Sequence, residues 1–210
     1  MDATPRAYRS ALRATQAAQT RHRVVTAAAE LFAARGFQAT TMAAIAHAAG
    51  VSTETVKATA SKPDLLIAAF EVTFSGAEGE RSLTTTPVAA DLADIADLPG
   101  DALLSAVVEA IATANERGYA LWTVLLGAAL SDDTVAAALH TILAQRQADY
   151  ALLVAELQAR GAAVTDPERL AAELSFLLSP EGYQQLVVQS GWTREKYVAW
   201  LHAEVARHGG

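Results

Sequence analysis

Apolar residues recur at the three- and four-residue spacing of α-helices along most of the chain, and no stretch sustains the alternation of a strand. Residues 41–62 contain two short predicted helices, the first with an apolar stripe of Met42, Ile45, Ala46 and Ala49. Gly50 ends this helix, because glycine adopts a left-handed conformation at little cost, and Ser52 can cap the second helix. Two short helices joined by a glycine turn are typical of a helix-turn-helix, whose second helix enters the major groove of DNA.

A third helix is predicted ahead of this unit. Its apolar face comprises Val24, Ala27, Ala28, Leu31 and Phe32. Gly36 closes it, and Thr40 or Thr41 can cap the helix that follows. Residues 41–62 alone also fit an ordinary helical hairpin, so it is the surrounding pattern that favours a DNA-binding domain.

From Arg21 to Leu66 the chain resembles the N-terminal domain of the TetR family of bacterial transcriptional regulators. The shared features follow one another at the family's spacing: the Ala-Ala-x-x-Leu-Phe helix of residues 27–32, Gly36-Phe37, Thr40-Thr41, the Ile-Ala-x-x-Ala-Gly-Val-Ser turn of residues 45–52, and Lys62 ahead of Leu65-Leu66. The resemblance implies an all-α protein. The N-terminal three-helix domain, residues 20–66 and hereafter the head, would bind a palindromic operator. A larger helical bundle, residues 67–210, would dimerise and bind a small-molecule effector that releases the repressor from DNA.

The chain departs from the family pattern after the Val-Ser turn. Lys57 stands where the family usually has a tyrosine that packs on the DNA backbone, Ala60 replaces a phenylalanine, and the segment before Ser61 is one residue short. Lysine can still hold a phosphate as a point charge. The loss of the aromatic anchor removes buried area worth about 2 kcal/mol, so the second helix of the unit is expected to sit differently or more loosely.

The residues expected to face DNA lie on and around this second helix. Serine and threonine would position the protein on phosphates, and lysine would supply the electrostatic attraction. The predicted set is Thr41, Ser52, Thr53, Thr55, Lys57, Thr59 and Lys62.

The rest of the chain is predicted to form a second, larger helical domain. Its first helix begins near Lys62, and a loop region follows over residues 76–100. Further helices are predicted over residues 101–117, 119–130 and 131–160. A further helix starts at Asp166-Pro167, breaks at Ser179-Pro180 and resumes, and Gly191-Trp192-Thr193 precedes the last helix. This tail resembles that of some family members, in which the last two long helices pair with a second subunit.

Charge divides the chain in the same place. Residues 1–66 contain eight Lys and Arg against four Asp and Glu, a net charge of +4, whereas residues 67–210 contain eight against nineteen, a net charge of −11. A basic end on an acidic protein suits a chain of which one module faces phosphates. The predicted domains are a basic arm at 1–19, a helix-turn-helix domain at 20–66 and a ligand-binding and dimerisation domain at 67–210.

The arm carries Arg6, Arg9 and Arg13. It fits both a partly ordered terminus and an arm that reaches phosphates or a minor groove. No apolar run is long enough to span a bilayer and the N-terminus lacks the apolar core of a signal peptide, which predicts a cytoplasmic protein without a membrane partner. The absence of cysteine excludes disulfides and thiolate chemistry.

The resemblance implies an effector pocket within residues 100–190. Its expected lining is aromatic and occasionally polar: Phe74, Tyr119, Trp122, Leu126, His140, Arg146, Tyr150 and Phe176. Arg146 interrupts an apolar stripe, so it needs either a carboxylate partner, from the ligand or the protein, or a position at the edge of the stripe with its head in water. The same aromatic residues would equally fill a core.

Motifs of enzymes are lacking. The five histidines show no metal-binding spacing, and there is neither a nucleophile elbow nor a phosphate-binding loop, so no catalytic residue, metal or cofactor is predicted. Beside the repressor, two alternatives stay open. One is a helical small-molecule-binding or interaction protein whose DNA-binding head has lost its function, and the other, more distant, is a small all-helical enzyme.

Overall fold

The computed structural model describes residues 5–79 and 99–208, and every regular element in these two ranges is helical. The first range contains α1 (Pro5–Ala39), α2 (Met42–Ala49), α3 (Thr53–Thr59) and α4 (Lys62–Ser75). The second contains α5 (Gly100–Ala129), α6 (Asp133–Ala159), α7 (Pro167–Leu177), α8 (Pro180–Tyr183), a π-helical segment (Gln184–Gln189) and α9 (Arg194–His208). The predicted all-α class is confirmed.

The short helices of the head begin and end where the sequence predicted. Gly36 has φ of 77° and breaks the direction of α1, and Gly50 has φ of 66° and ends α2. Thr41 caps α2 through its side-chain oxygen, which accepts from the N–H of Ala44 at 3.1 Å. Thr40 is instead fully buried and donates its hydroxyl to the carbonyl of Gly36 at 2.8 Å, which fastens the end of α1.

One prediction for the larger domain was wrong. The sequence suggested separate elements over residues 101–117 and 119–130, but α5 runs through Gly118 without a break. The reason for the glycine is close packing, since a Cβ atom at this position would lie 2.9 Å from Cδ2 of Phe74. Gly118 therefore lets α4 and α5 approach each other, and it leaves the helical backbone of α5 intact.

Two hydrophobic cores follow each other along α5 and α6. The first joins α1, α2, α3 and α4 to the second half of α5, with Leu121 and Leu125, and to the start of α6. The second joins the first half of α5 to the later part of α6, to α7, to α8 and to α9. The head thus shares its core with the larger bundle, and the buried stretch from Leu65 to Phe70 carries that core across residue 66.

The break at Ser179-Pro180 is present, followed by the short α8 and the π-helical segment. α1 already begins at Pro5, so most of the predicted arm is helical backbone. Most of the predicted loop region, residues 80–98, lies outside the described residues. None of the described helices combines the length and the apolar character that crossing a membrane requires.

Candidate nucleic-acid interface

The helix α3 is held to the protein by a narrow strip of its surface. Of its seven residues only Val56 is buried, and it packs into the first core. Ser52 caps α3, because its Oγ accepts from the N–H of Thr55 at 3.1 Å and lies 3.0 Å from the hydroxyl of Thr55. The opposite face of α3 is therefore free to meet a partner.

Most residues of the predicted DNA-facing set lie on this accessible side. Thr41, Ser52 and Lys57 are exposed, and Thr53, Thr55 and Thr59 are half-buried. Several of the hydroxyls also serve the local backbone: that of Thr59 donates to the carbonyl of Thr55 at 2.8 Å. Lys57 forms no hydrogen bond or ion pair within the two described ranges, so its ammonium group is available to a phosphate.

Lys62 differs from Lys57. Its Nζ lies 4.5 Å from the centre of the Phe37 ring and 3.5 Å from the carbonyl oxygen of Gln38. Partial burial lowers the pKa of Lys62 from its usual value. These contacts tie the start of α4 to the end of α1, so the ammonium group of Lys62 is partly engaged within the head.

A groove lies beside Ala60, at the position where the family pattern usually has a phenylalanine. Ala60 caps the C-terminal end of α3 and is half-buried against the first core. Beside it lies a groove of about 430 Å³ that is lined by the apolar Ile67 and Ala68 and by charged residues, among them Arg21 and Asp64. The small side chain of Ala60 therefore leaves space at the base of α3.

Arg21 reaches α3 across this groove. Its Nη1 donates to the carbonyl of Thr59 at 3.1 Å, while its Nε and Nη2 contact Oε2 of Glu78 at 2.7 and 2.6 Å. This contact was not predicted from the sequence. The partners are separated by 38 and 57 residues, and nothing in the spacing of a single sequence signals such a pair.

The residues predicted to line an effector pocket separate into three groups. Trp122 and Tyr150 are buried, and they belong to the first and the second core respectively. Phe74, Tyr119, Leu126 and Arg146 are half-buried. His140 is exposed and Phe176 is 76% exposed, so the structure does not bring these two together with the rest.

The interior set is continued by residues that the sequence analysis did not single out. The ring of Tyr183 packs at a tilt against that of Tyr119, with ring centres 5.4 Å apart, and forms an edge-to-face contact with Tyr197, with ring centres 5.3 Å apart. Asn115 is fully buried and donates its side-chain N–H to the carbonyl of Leu178 at 3.1 Å. Within the described residues, Oδ1 of Asn115 and Nε1 of Trp122 are buried and make no hydrogen bond.

Arg146 has both features that the sequence left as alternatives, a carboxylate partner and a position at the edge of the apolar stripe. Its guanidinium lies 5.5 Å from the Trp122 ring centre, and its Nη1 lies 3.7 Å from a carboxylate oxygen of Glu181. At that distance Nη1 forms an ion pair and no hydrogen bond, although it is buried. The arginine is therefore placed at the edge of the interior, with one donor unsatisfied by the described residues.

A larger groove of about 670 Å³ lies elsewhere, at the N-terminal end of α5, and its lining includes Leu104, Leu157, Arg160 and His202. None of the predicted effector residues lines it. Among the described residues there is also no group of three or more His, Asp or Glu that could hold a metal ion.

Two short capped helices joined by a glycine turn, with the polar face of α3 accessible, form the arrangement of a helix-turn-helix. Residues 24–58 match the sequence profile of the bacterial regulatory proteins of the tetR family. The match covers α2, most of α3 and the second half of α1. Over these residues the chain is similar to that family, and the similarity lies in its candidate DNA-binding segment.

Solved structures share the fold over nearly the whole chain. A TetR-family transcriptional regulator from Rhodococcus sp. has a TM-score of 0.71 and 18% sequence identity, covering 92% of this chain and 100% of its own. A transcriptional regulator from Saccharomonospora viridis in complex with choline has a TM-score of 0.71 and 20% identity, covering 90% and 96%. A TetR-family regulator from Mesorhizobium loti gives 0.69 and 20%, covering 91% and 96%. No curated protein matches the chain.

Proposed function

We propose that the protein is a cytoplasmic repressor that binds a short pseudo-palindromic operator as a homodimer and leaves it when a small molecule binds. The observation that carries the DNA-binding part is α3, a capped helix whose only buried residue is Val56. The proposed contacts to DNA come from Thr41, Ser52, Thr53, Thr55, Lys57, Thr59 and Lys62. The net charge of +4 on residues 1–66 would supply the electrostatic attraction to phosphates.

Selection of binding sequences from a pool of random duplexes tests this part. We expect enrichment of a sequence with two-fold symmetry, because each subunit of a homodimer would read one half-site. A salt titration on the selected duplex then measures the number of phosphate contacts. If no symmetric sequence is enriched even at low salt, the head does not bind DNA, and the alternative of a helical ligand-binding protein takes its place.

The homodimer is supported by apolar side chains that the single chain leaves exposed. Phe176 on α7 is 76% exposed, Leu152 on α6 is 58% exposed and Val188 in the π-helical segment is 49% exposed. Large apolar side chains left exposed on the bundle favour an interaction surface there. A second copy of the chain would cover them through its own C-terminal helices.

The effector is proposed to bind between α5, α6, α8 and α9, among Tyr119, Trp122, Arg146 and Tyr150. The support is the set of buried polar atoms without hydrogen bonds: Nε1 of Trp122 and Nη1 of Arg146 are donors, Oδ1 of Asn115 is an acceptor, and the hydroxyl of Tyr197 can be either. Buried polar groups are nearly always satisfied in proteins. A small molecule with an acceptor facing the two donors would satisfy them, whereas His140 and Phe176 are left out because of their exposure.

Such a molecule acts only if it binds the DNA-free conformation more tightly, because equal affinity for both states shifts nothing. A thermal-shift screen followed by a DNA-release assay identifies it. Choline belongs in this screen, since it is bound in the Saccharomonospora viridis regulator.

A variant at Arg146 tests the proposed site. The effector should bind Arg146→Gln less tightly, whereas Arg117→Gln, which changes an exposed arginine on α5, serves as the matched control. Compounds that stabilise the protein but never alter DNA binding would contradict the effector part of the proposal.

A further inference from the structure

The C-terminal end of α3 is anchored by one long side chain from another helix. Val56 fixes the middle of α3, and the cap at its N-terminal end is made by Ser52 of the adjoining turn. At the C-terminal end Ala60 is too small to anchor the helix and borders the groove. The carbonyl of Thr59 in this last turn accepts from Nη1 of Arg21 on α1 at 3.1 Å. A cation at the end of a helix where carbonyls lack partners is favourable for both charge and hydrogen bonding.

Glu78 holds that guanidinium in place. Nε and Nη2 of Arg21 both contact its Oε2, at 2.7 and 2.6 Å, so three nitrogens of one planar group are engaged at once. Because the guanidinium is rigid, its orientation toward Thr59 is determined by the position of Glu78. Lysine could not replace it, since a single ammonium group cannot span both partners in this geometry.

Glu78 in turn lies just after the C-terminal end of α4, in a short segment that hydrogen bonds attach to this helix. The hydroxyl of Ser75 donates to the carbonyl of Glu71 at 2.5 Å and also approaches the carbonyl of Ala77 at 3.2 Å. The N–H of Gly79 donates to the buried carboxylate of Glu71 at 2.8 Å. These bonds hold residues 76–79 against the end of α4, so the position of Glu78 depends on the position of this helix.

The same end of α4 packs on the larger bundle. Phe74 lies against Gly118 of α5, and Phe70 contacts Trp122 with ring centres 5.5 Å apart. A shift of α5 at Trp122 would therefore displace the end of α4 and, with it, Glu78. The contacts continue through Arg21 to Thr59 of α3.

We infer that Arg21 and Glu78 form a brace that positions α3 for operator recognition and links its orientation to the end of α4. The inference rests on the proposed DNA binding. Arg21 is a positioning residue here, because it acts on α3 through Thr59. The brace takes the place of the aromatic anchor that the chain lacks at Ala60.

The charge of Glu78 separates this role from a simple electrostatic one. DNA repels carboxylates, so removing an acid that lies close to α3 should strengthen binding or leave it unchanged if only charge matters. Removing a brace should weaken binding, because α3 would lose its fixed orientation. The two roles predict opposite signs for Glu78→Ala.

The test measures the affinity of the full chain for its selected operator. We expect Glu78→Ala to weaken binding by about three- to tenfold, the range that residues outside a binding site typically reach. Arg21→Lys, which keeps the positive charge, should weaken it similarly. The double variant should be no weaker than either single variant, because both remove one brace. Melting temperatures should stay within about 2 °C, because exposed ion pairs add little to stability.

The matched control is another ion pair of the same length far from the head. Arg169 and Glu173 on α7 lie 2.7 Å apart, and Glu173→Ala removes the same carboxylate without touching α3. Its operator affinity should equal that of the unaltered protein or exceed it slightly. Unchanged or tighter binding by Glu78→Ala overturns the brace. Failure of the unaltered protein to bind any selected duplex overturns the proposed function instead, so the two failures are distinguishable.

Discussion

Lys57 is the exposed cation of α3. It has no partner within the described residues, whereas Lys62 is partly engaged with Phe37 and Gln38. The two lysines that the sequence grouped together therefore differ in how freely they can reach DNA. The physical reason is their position, since Lys57 projects from the outer face of α3 and Lys62 lies between α1 and α4.

Replacing Lys57 with alanine should weaken operator binding by about three- to tenfold at low salt, because one phosphate contact is lost. If the contact is to phosphate alone, the loss is similar for all sequences and the salt slope falls by about one unit. Fluorescence anisotropy over a range of salt concentrations measures both quantities. Lys196→Ala, which changes a lysine on α9, is the control. An unaltered slope in Lys57→Ala would mean that its side chain stays in solvent.

Tyr197 makes stability sensitive to alkaline pH. Burial raises the pKa of this tyrosine from 10.0 to about 12, with the nearby Asn115 lowering it in part and Tyr183 raising it. Below the unfolded pKa the phenol is neutral in both states, and its contribution to stability is fully present. That contribution is lost as the pH rises from 10.0 toward about 12, because only the unfolded chain ionises easily.

Tyr197→Phe should therefore resist alkaline unfolding better than the unaltered protein. The difference in the free energy of unfolding, relative to its value at about pH 8, should reach about 1 kcal/mol by about pH 11. Denaturant titrations at the two pH values measure it. Equal losses in both proteins would show that Tyr197 does not govern this transition and would leave the buried Tyr150, whose pKa is also raised by burial, as the main source.

At the scale of helices, Gly118 determines how closely α4 and α5 can approach each other. Gly118 admits the ring of Phe74, and Trp122, four residues along α5, contacts Phe70. This seam connects the core of the head to the core of the bundle. A side chain at position 118 would force the two helices apart or displace the ring.

Gly118→Val should lower the free energy of unfolding by about 1–3 kcal/mol, since overpacking displaces side chains and backbone. Gly127→Val is the matched control on the same helix, because a Cβ atom there meets nothing within 4 Å. Thermal and denaturant unfolding of the two variants gives the comparison. A loss of equal size in both variants would trace the effect to valine in a helix and not to the seam.

Over the whole molecule, the basic head and the acidic remainder restrict how the protein can approach DNA. In the proposed complex, the net charge of −11 on residues 67–210 would keep the bundle away from phosphates and leave the head to make the contact. The exposed apolar side chains of Phe176, Leu152 and Val188 lie on α7, on α6 and in the π-helical segment, respectively. A dimer formed there would present two heads to one duplex.

Phe176→Asp should convert the proposed homodimer to a monomer, because a carboxylate in an apolar interface would be buried without a partner. Sedimentation or light scattering measures the mass, and operator affinity should fall as the dimer is lost. Leu130→Asp, on the turn between α5 and α6 and 90% exposed, is the control for an added acid at an exposed apolar site. A dimer that survives Phe176→Asp would place the subunit contact elsewhere.

The sequence alone determined those features that depend on neighbours along the chain. Gly36, Gly50 and the cap at Ser52 could be read directly, and the cap of α2 was narrowed to Thr40 or Thr41, because helix ends are governed by residues within about one turn. The family pattern and the charge of the head were visible for the same reason. Tertiary structure decided what depends on distant residues: the continuity of α5 at Gly118, the exposure of Phe176 and His140, the pairing of Arg146 with Glu181, and the reach of Arg21 to Thr59 and Glu78. Such contacts arise only when packed helices bring remote side chains together, and periodicity in one sequence carries no record of which helices will meet.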